Sequence, residues 1–223
     1  MEFKTRMIRI NKDNLSSKYA DYCAKSWFGF NLRFQDAVTP ETLHEQSGLT
    51  FGTRADGREL TDTEKACFYS QYNLWKKCAI EKSPILVLEH DALLKKRSAI
   101  HFNPHLYVQF FGQHSMEAVM YHPAFCTQLL KYCAQNEVTG PMNLVDNLLG
   151  FFKKGSQSRH ALPHARYQGK FAPVRSVIDP NLGTSVDHDG STLDRLKMGD
   201  DDLFEIVDLH KELGVIDVTN ENQ

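Results

Sequence analysis

Three ionisable residues follow directly on a short apolar run near the middle of the chain. The run is Ile85-Leu86-Val87-Leu88, and Glu89, His90 and Asp91 come next. Such a run is typical of a central strand buried on both faces. Ligands bind at the carboxyl ends of strands in α/β sheets, and carboxylates are seldom buried unpaired. The pattern therefore predicts a ligand or cation site here. The alternative is that Glu89 caps a helix and His90 is exposed.

The helix predicted before this strand begins with a capping box. Thr61 and Glu64 are spaced so that each side chain can bond the other residue's backbone N–H. Apolar side chains then recur at helical spacing on two faces, which predicts a helix to about Glu81, ended by Pro84 and packed inside the protein. The two faces are formed by Phe68, Tyr72, Trp75 and Ala79, and by Cys67, Leu74 and Cys78.

Strand-like and helix-like segments alternate along the rest of the chain. Further strands are predicted at 7–10, 32–38, 106–110, 118–121 and 174–178, and further helices at 15–26, from Pro123 to about 133, at 144–152 and at 203–213. The glycine-containing stretch 39–59 is irregular and suggests a loop near a site. This alternation predicts an α/β fold in a single domain spanning 1–223, with an acidic helical segment at about 195–223.

Composition excludes several classes of protein. Hydrophobic residues make up 41% of the 223-residue chain and charged residues 24%, as in an ordinary globular domain. The longest apolar run falls well short of the roughly 18 residues of a membrane helix, and no secretory signal is recognised at the N-terminus, so a cytoplasmic protein is expected. The five cysteines contain no Cys-x-x-Cys pair, which indicates mostly buried thiols.

Charge is distributed unevenly along the chain. Residues 179–223 contain twelve acids and three bases, a balance of −9, whereas residues 1–178 carry +7. The segment 148–178 contains six bases and no acid: Lys153, Lys154, Arg159, Arg166, Lys170 and Arg175. Such a segment suits phosphates, either of a nucleotide or of a polynucleotide. A solvated loop balanced by the acidic C-terminal part is the equally supported alternative.

The helix at 60–75 and the strand ending Leu88-Glu89-His90-Asp91 together resemble glycosyltransferase family 25, which includes lipopolysaccharide and collagen galactosyltransferases. The family pattern has Leu, Glu, Cys, Ser-His and Trp on the helix, and a strand ending Leu-Glu-Asp-Asp. The residues of this chain that fall in step are Glu64, Cys67, Ser70 and Trp75. Weaker likenesses in the same order extend the resemblance over roughly 7–195. Two positions depart from the pattern: Gln71 replaces the family histidine, and His90 replaces the first aspartate.

The resemblance implies a GT-A-type, Rossmann-like fold with a mixed central sheet that binds a nucleotide-sugar donor, with UDP as the expected nucleotide. A divalent cation, Mn²⁺ or Mg²⁺, would neutralise the departing diphosphate, held by Asp91 and Glu89 and completed late in the chain by His188. Asp187 and Asp189 also qualify by type for that late ligand, and a solvated acidic loop is the alternative. The residues assigned to donor binding are Asn11, Glu64, His90, Ser191 and Thr192.

The resemblance further implies an inverting transfer, in which one carboxylate takes the proton of the acceptor hydroxyl. Asp146 matches a family aspartate and is the candidate base, whereas an N-cap of the predicted helix at 144–152 is the alternative. A non-catalytic family member that lost its metal site is a further alternative, because His90 replaces an aspartate.

The acceptor is predicted from the basic segment after Asp146. Lys153, Lys154, Arg159, Arg166 and Lys170 are the assigned acceptor or phosphate contacts. Phosphate contacts of this kind suit a polynucleotide, so we favour a phage-type enzyme that glycosylates a hydroxymethylated base in double-stranded DNA, in the host cytoplasm. The alternative acceptor is lipopolysaccharide or another glycan.

Overall fold

The computed structural model describes residues 3–11, 14–54, 56–112, 116–149, 162–167 and 172–177. In chain order the elements are β1 (Lys4–Arg9), α1 (Asn14–Ser26), β2 (Leu32–Asp36), a 3₁₀ helix (Pro40–Glu45), α2 (Asp62–Glu81), β3 (Ile85–Leu88), β4 (Ala92–Leu94), a 3₁₀ turn (Arg97–Ala99), β5 (Val108–Phe110), β6 (Ala118–Tyr121), α3 (Pro123–Cys133), α4 (Pro141–Leu149), β7 (His164–Arg166) and β8 (Val174–Ser176). The helix predicted at 203–213 lies outside the described residues.

A six-stranded sheet in the order β2-β1-β3-β6-β5-β7 forms the centre of the described fold. β1 runs parallel to both β2 and β3, so the carboxyl ends of these three strands lie at one edge of the sheet. β6 is antiparallel to β3 and β5, and β7 is parallel to β5. β4 and β8 form a separate antiparallel pair. The structure thereby confirms the predicted α/β fold with a mixed central sheet.

The central strand β3 is buried along its whole length because both faces of the sheet are covered. Ile85 and Val87 join a core that includes side chains of α2 and α3, whereas Leu86 and Leu88 join a second core with α1 on the other face. This alternation explains why the strand is apolar at every position. Among the helices that the structure describes, none is long and apolar enough to cross a bilayer.

Several boundaries differ from those predicted from the sequence. α4 begins at Pro141 rather than near 144, because proline suits the first turn of a helix. α2 ends at Glu81, as predicted, but the chain leaves the helix at Lys82, which has a left-handed backbone, before Pro84 is reached. The three-residue strands β4 and β7 were not predicted, because they are too short to show a periodic pattern.

Candidate active site

A cleft opens between the carboxyl ends of β1, β2 and β3 and the N-terminal half of α2. It contains about 700 Å³ of space, part of it open to solvent. Its walls are formed by Ile8, Arg9, Ile10, Ala37, Val38, Thr63, Ala66, Cys67, Ser70, Gln71, Glu89, His90, Met116 and Pro141. The predicted ligand-binding edge of the sheet is therefore a cavity in the structure.

Local hydrogen bonds hold α2 in register with the sheet beside this cleft. The capping box starts the helix as predicted, with the Glu64 amide donating to Thr61 Oγ1 at 3.2 Å and the Thr61 amide donating to the Glu64 carboxylate at 2.9 Å. One and a half turns later, Ser70 Oγ accepts from the Val38 amide at 2.8 Å and donates to the Ala66 carbonyl at 3.0 Å. Ser70 thus fixes the distance between α2 and the end of β2.

Glu89 and His90, at the end of β3, both line the cleft. His90 is only 6% exposed and packs near the ring of Tyr19, so the alternative of an exposed histidine is wrong. The next element after Glu89 is the strand β4, so the alternative of a helix-capping glutamate is also wrong. Both residues are held at the cleft edge because β3 ends immediately before them.

Asp91 lies next to the cleft but is not among the residues that line it. The residue is 7% exposed, and its Oδ2 accepts a hydrogen bond from Ser176 Oγ of β8. Its Oδ1 is buried and has no hydrogen-bond partner among the described residues. Burying a carboxylate oxygen without a hydrogen-bond donor costs free energy, so Oδ1 of Asp91 is well suited to coordinate a cation.

The side chains of the described ranges contain no cluster of three metal-ligating groups. Mg²⁺ and Mn²⁺ do not need such a cluster when a substrate supplies phosphate oxygens, since one or two carboxylates and water complete the shell. Asp91 and Glu89 therefore fit a cation that is bound together with a nucleotide. His188 lies outside the described residues.

Two residues assigned to the donor occupy different settings. Asn11 is exposed just beyond Ile10, and its amide lies 3.5 Å from Asp36 Oδ2. Glu64 does not line the cleft: Arg58 donates to both carboxylate oxygens at 2.9 Å, and Arg54 donates to Oε1 at 2.6 Å. These bonds, chiefly those from Arg58, lower the pKa of Glu64 to about 2. Ser191 and Thr192 lie outside the described residues.

Asp146 and Arg166 were assigned to different roles, yet the structure pairs them. Arg166 Nη2 donates to Asp146 Oδ1 at 2.6 Å, and the guanidinium lies 4.2 Å from the ring centre of Phe110. Asp146 is the sixth residue of α4, so the N-cap alternative is wrong. Neither member of the pair lines the cleft, although Pro141 at the start of α4 does.

The remaining basic residues assigned to the acceptor, Lys153, Lys154, Arg159 and Lys170, lie outside the described residues. Arg166 is the only described member of that set, and its guanidinium is committed to Asp146. The phosphate-binding role of the segment 148–178 therefore stays a prediction.

Three residues near the cleft were not assigned from the sequence. Cys67 is the exposed member of the five free cysteines. The pKa of its thiol is raised to about 11, first because neighbouring protein atoms exclude water from the sulfur, and then because of the negative charges of Glu89 and Glu64. Glu117 is buried next to the end of β3, where its carbonyl accepts from the Glu89 amide at 2.9 Å. Gln71 is buried in the cleft wall, and only its departure from the family pattern pointed to it.

Comparison with known proteins gives a family assignment. The sequence model of glycosyltransferase family 25 (LPS biosynthesis protein) matches residues 9–139, more than half of the chain. Among solved structures, the chain is similar to a glycosyltransferase involved in the glycosylation of the major capsid of PBCV-1, with a TM-score of 0.45, 11% identity, and 87% of this chain and 96% of that chain covered. No curated protein matches significantly. Since the matched region contains α2, the Glu89-His90-Asp91 turn and all the residues that line the cleft except Ile8 and Pro141, this chain belongs to glycosyltransferase family 25 and is a glycosyltransferase.

Proposed function

We propose that the cleft binds a nucleotide-sugar donor, with UDP as the nucleotide, and that the sugar is transferred to an acceptor hydroxyl with the help of a divalent cation. The observation that carries this proposal is the cleft itself, with Glu89 and His90 at its edge. Its position at the carboxyl ends of three parallel strands is where α/β sheets bind their ligands.

Asp91 and Glu89 are the residues we propose for holding Mn²⁺ or Mg²⁺. The buried Oδ1 of Asp91 supports this, because nothing in the described residues satisfies it. Ser176 donates to Oδ2 of the same carboxylate and so fixes its orientation. When bound, the cation supplies charge neutralisation to the departing diphosphate. His188 stays the proposed late ligand.

For the transfer itself we propose inversion at the anomeric carbon. The acceptor oxygen forms a bond to this carbon while the bond to the diphosphate oxygen breaks, and the electron pair leaves with the diphosphate. Asp146 is the proposed base that takes the acceptor proton. Arg166 holds its Oδ1, whereas Oδ2 makes no hydrogen bond to the described residues. The acceptor would then approach from the side of α4, where Pro141 lines the cleft.

The charge on Asp91 provides the test of the cation site. We expect Asp91→Asn to bind the nucleotide sugar at least tenfold more weakly in the presence of Mn²⁺, and to lose the dependence of binding on the metal. Glu81→Gln is the matched control, since Glu81 is a surface carboxylate paired with Lys4. Calorimetric titration with a UDP-sugar panel, with and without Mn²⁺, measures both effects. Unchanged metal dependence in Asp91→Asn would show that the cation is held elsewhere.

For the acceptor we propose a hydroxymethylated base in duplex DNA, supported by the acid-free basic segment at 148–178. Binding through phosphates weakens steeply as salt is added, because condensed counterions are released. We therefore expect the affinity for duplex DNA to fall at least a hundredfold between 50 and 200 mM salt. Indifference to DNA, together with turnover on a glycan acceptor, would establish the alternative.

A further inference from the structure

Gln71 has a buried side-chain amide with no hydrogen-bond partner among the described residues. It lies on the third turn of α2, lines the cleft and is only 4% exposed. Its Oε1 is fully buried, and neither end of the amide forms a hydrogen bond with the described residues. Buried amides are nearly always hydrogen-bonded, because removing them from water without compensation is costly. The missing partner is therefore expected to be a ligand.

A second buried glutamine, Gln109, provides a comparison, because both ends of its side-chain amide form hydrogen bonds. Gln109 is 3% exposed, and its Oε1 accepts from the Asn103 amide at 2.9 Å while its Nε2 donates to the His101 carbonyl at 3.1 Å. Both ends of that amide are satisfied by the protein. The open amide of Gln71 is thus a local feature of the cleft wall.

The surroundings of Gln71 favour a flat, mostly apolar group as its partner. Ile8, Val38 and Ala66 form apolar walls of the same cleft. α2 leads into β3 through residues 82–84, so its N-terminal end lies beside Glu89 at the far end of that strand, and Gln71 lies one helical turn beyond Cys67, away from Glu89. The amide is therefore about 6 Å further along the helix axis from the proposed cation end. That is the end at which a nucleotide places its base when its diphosphate lies at the cation.

We infer that the carboxamide of Gln71 reads the hydrogen-bonding edge of the donor's nucleobase; this rests on the proposed function of the cleft. A carboxamide offers one acceptor and one donor side by side in a plane, which matches the adjacent donor and acceptor on a base edge. Sugar hydroxyls rotate and would not require a planar pair. Gln71 is accordingly a specificity-determining residue for the base of the donor.

The test compares Gln71→Met with Gln109→Met, because methionine keeps the length of glutamine without its hydrogen bonds. Calorimetric titrations with uridine, guanosine, adenosine and cytidine diphosphates, and with pyrophosphate as the base-free probe, are run with Mn²⁺ present. We expect wild-type protein to prefer one nucleotide, and Gln71→Met to reduce that preference about tenfold, in line with the loss of hydrogen bonds to a buried ligand group. Its affinity for pyrophosphate should be unchanged, and Gln109→Met should keep the wild-type preference.

Denaturant unfolding of the two variants supplies an independent readout. Gln71→Met should be at least as stable as wild type, because it removes an unpartnered polar group, whereas Gln109→Met should be less stable. A base preference that survives in Gln71→Met overturns the inference while leaving the proposed function intact. A loss of stability in Gln71→Met equal to that in Gln109→Met also overturns it, because the amide would then have a structural partner. Absence of nucleotide binding by wild-type protein overturns the proposed function and the inference together.

Discussion

The charge of Glu64 should matter for stability and not for donor binding. The residue matches a family glutamate, yet its carboxylate is turned away from the cleft towards Arg54, Arg58 and the Thr61 amide. Glu64→Gln removes the charge and keeps a side chain that can still complete the capping box. We expect this variant to unfold more easily at neutral pH and to bind the nucleotide sugar as wild type does.

The size of the effect follows from the pKa of Glu64, which is lowered from 4.5 to about 2 in the folded protein. A shift of this size corresponds to at most about 3 kcal/mol, since one pKa unit is about 1.36 kcal/mol. Because about a quarter of the side chain is exposed and solvent screens its partners, we expect about 1–2 kcal/mol. The folded-state pKa is depressed, so this stabilisation is present above about pH 5 and is lost as the pH falls towards 2.

Urea unfolding of wild type and Glu64→Gln between pH 7 and pH 3 measures this directly. The difference in unfolding free energy should be constant from pH 7 to about pH 5 and should fall by more than half by pH 3. Asp62→Asn is the control, because Asp62 lies in the same helical turn but is exposed and pairs only with Lys65 among the described residues. A stability difference that stays the same at pH 3, or a loss of donor affinity in Glu64→Gln, would refute the assignment of Glu64 to the helix cap.

Three further predictions concern residues around the cleft. Alkylation of Cys67 by iodoacetamide at pH 8 should be about a hundredfold slower than that of an ordinary cysteine and should accelerate up to about pH 11, because the raised pKa of the thiol keeps it protonated. Gly112→Ala should lower the unfolding free energy by about 1–3 kcal/mol in chemical denaturation, since the added Cβ would lie 2.2 Å from Glu117 Oε2. Arg166→Met should cost about 3 kcal/mol by leaving Asp146 unpaired, and Asp146→Asn in the same chain should recover part of that loss in a double-mutant cycle.

The elements that could be predicted from the sequence are those whose signals are local. The capping box placed the start of α2 at the correct residue, and the unbroken apolar run located β3. β8 lies within the strand predicted at 174–178, whereas its partner β4, more than eighty residues away with Ala92 opposite Ser176, was not predicted. The three residues of β4 have no periodicity of their own, so only the distant partner defines that strand.

In the candidate site, too, the features with local sequence signals were predicted and those that depend on long-range packing were not. Glu89 and His90 were predicted at the cleft because they follow β3 directly. The pairing of Asp146 with Arg166, and the open amide of Gln71, depend on how separate elements pack. Residue type alone did not distinguish Gln71 from Gln109, since both are buried glutamines on regular elements and only one has its amide satisfied.

Asp91 is synthesised 85 residues before Ser176, the residue whose hydroxyl donates to its carboxylate. β1, β3 and α2 are all complete once the ribosome has made the first half of the chain, so a nascent chain contains every residue that walls the cleft soon after residue 141 emerges. The hydroxyl that orients Asp91 is added only with residue 176. A growing polypeptide would therefore contain the whole cleft wall before it contains the serine that fixes the orientation of Asp91.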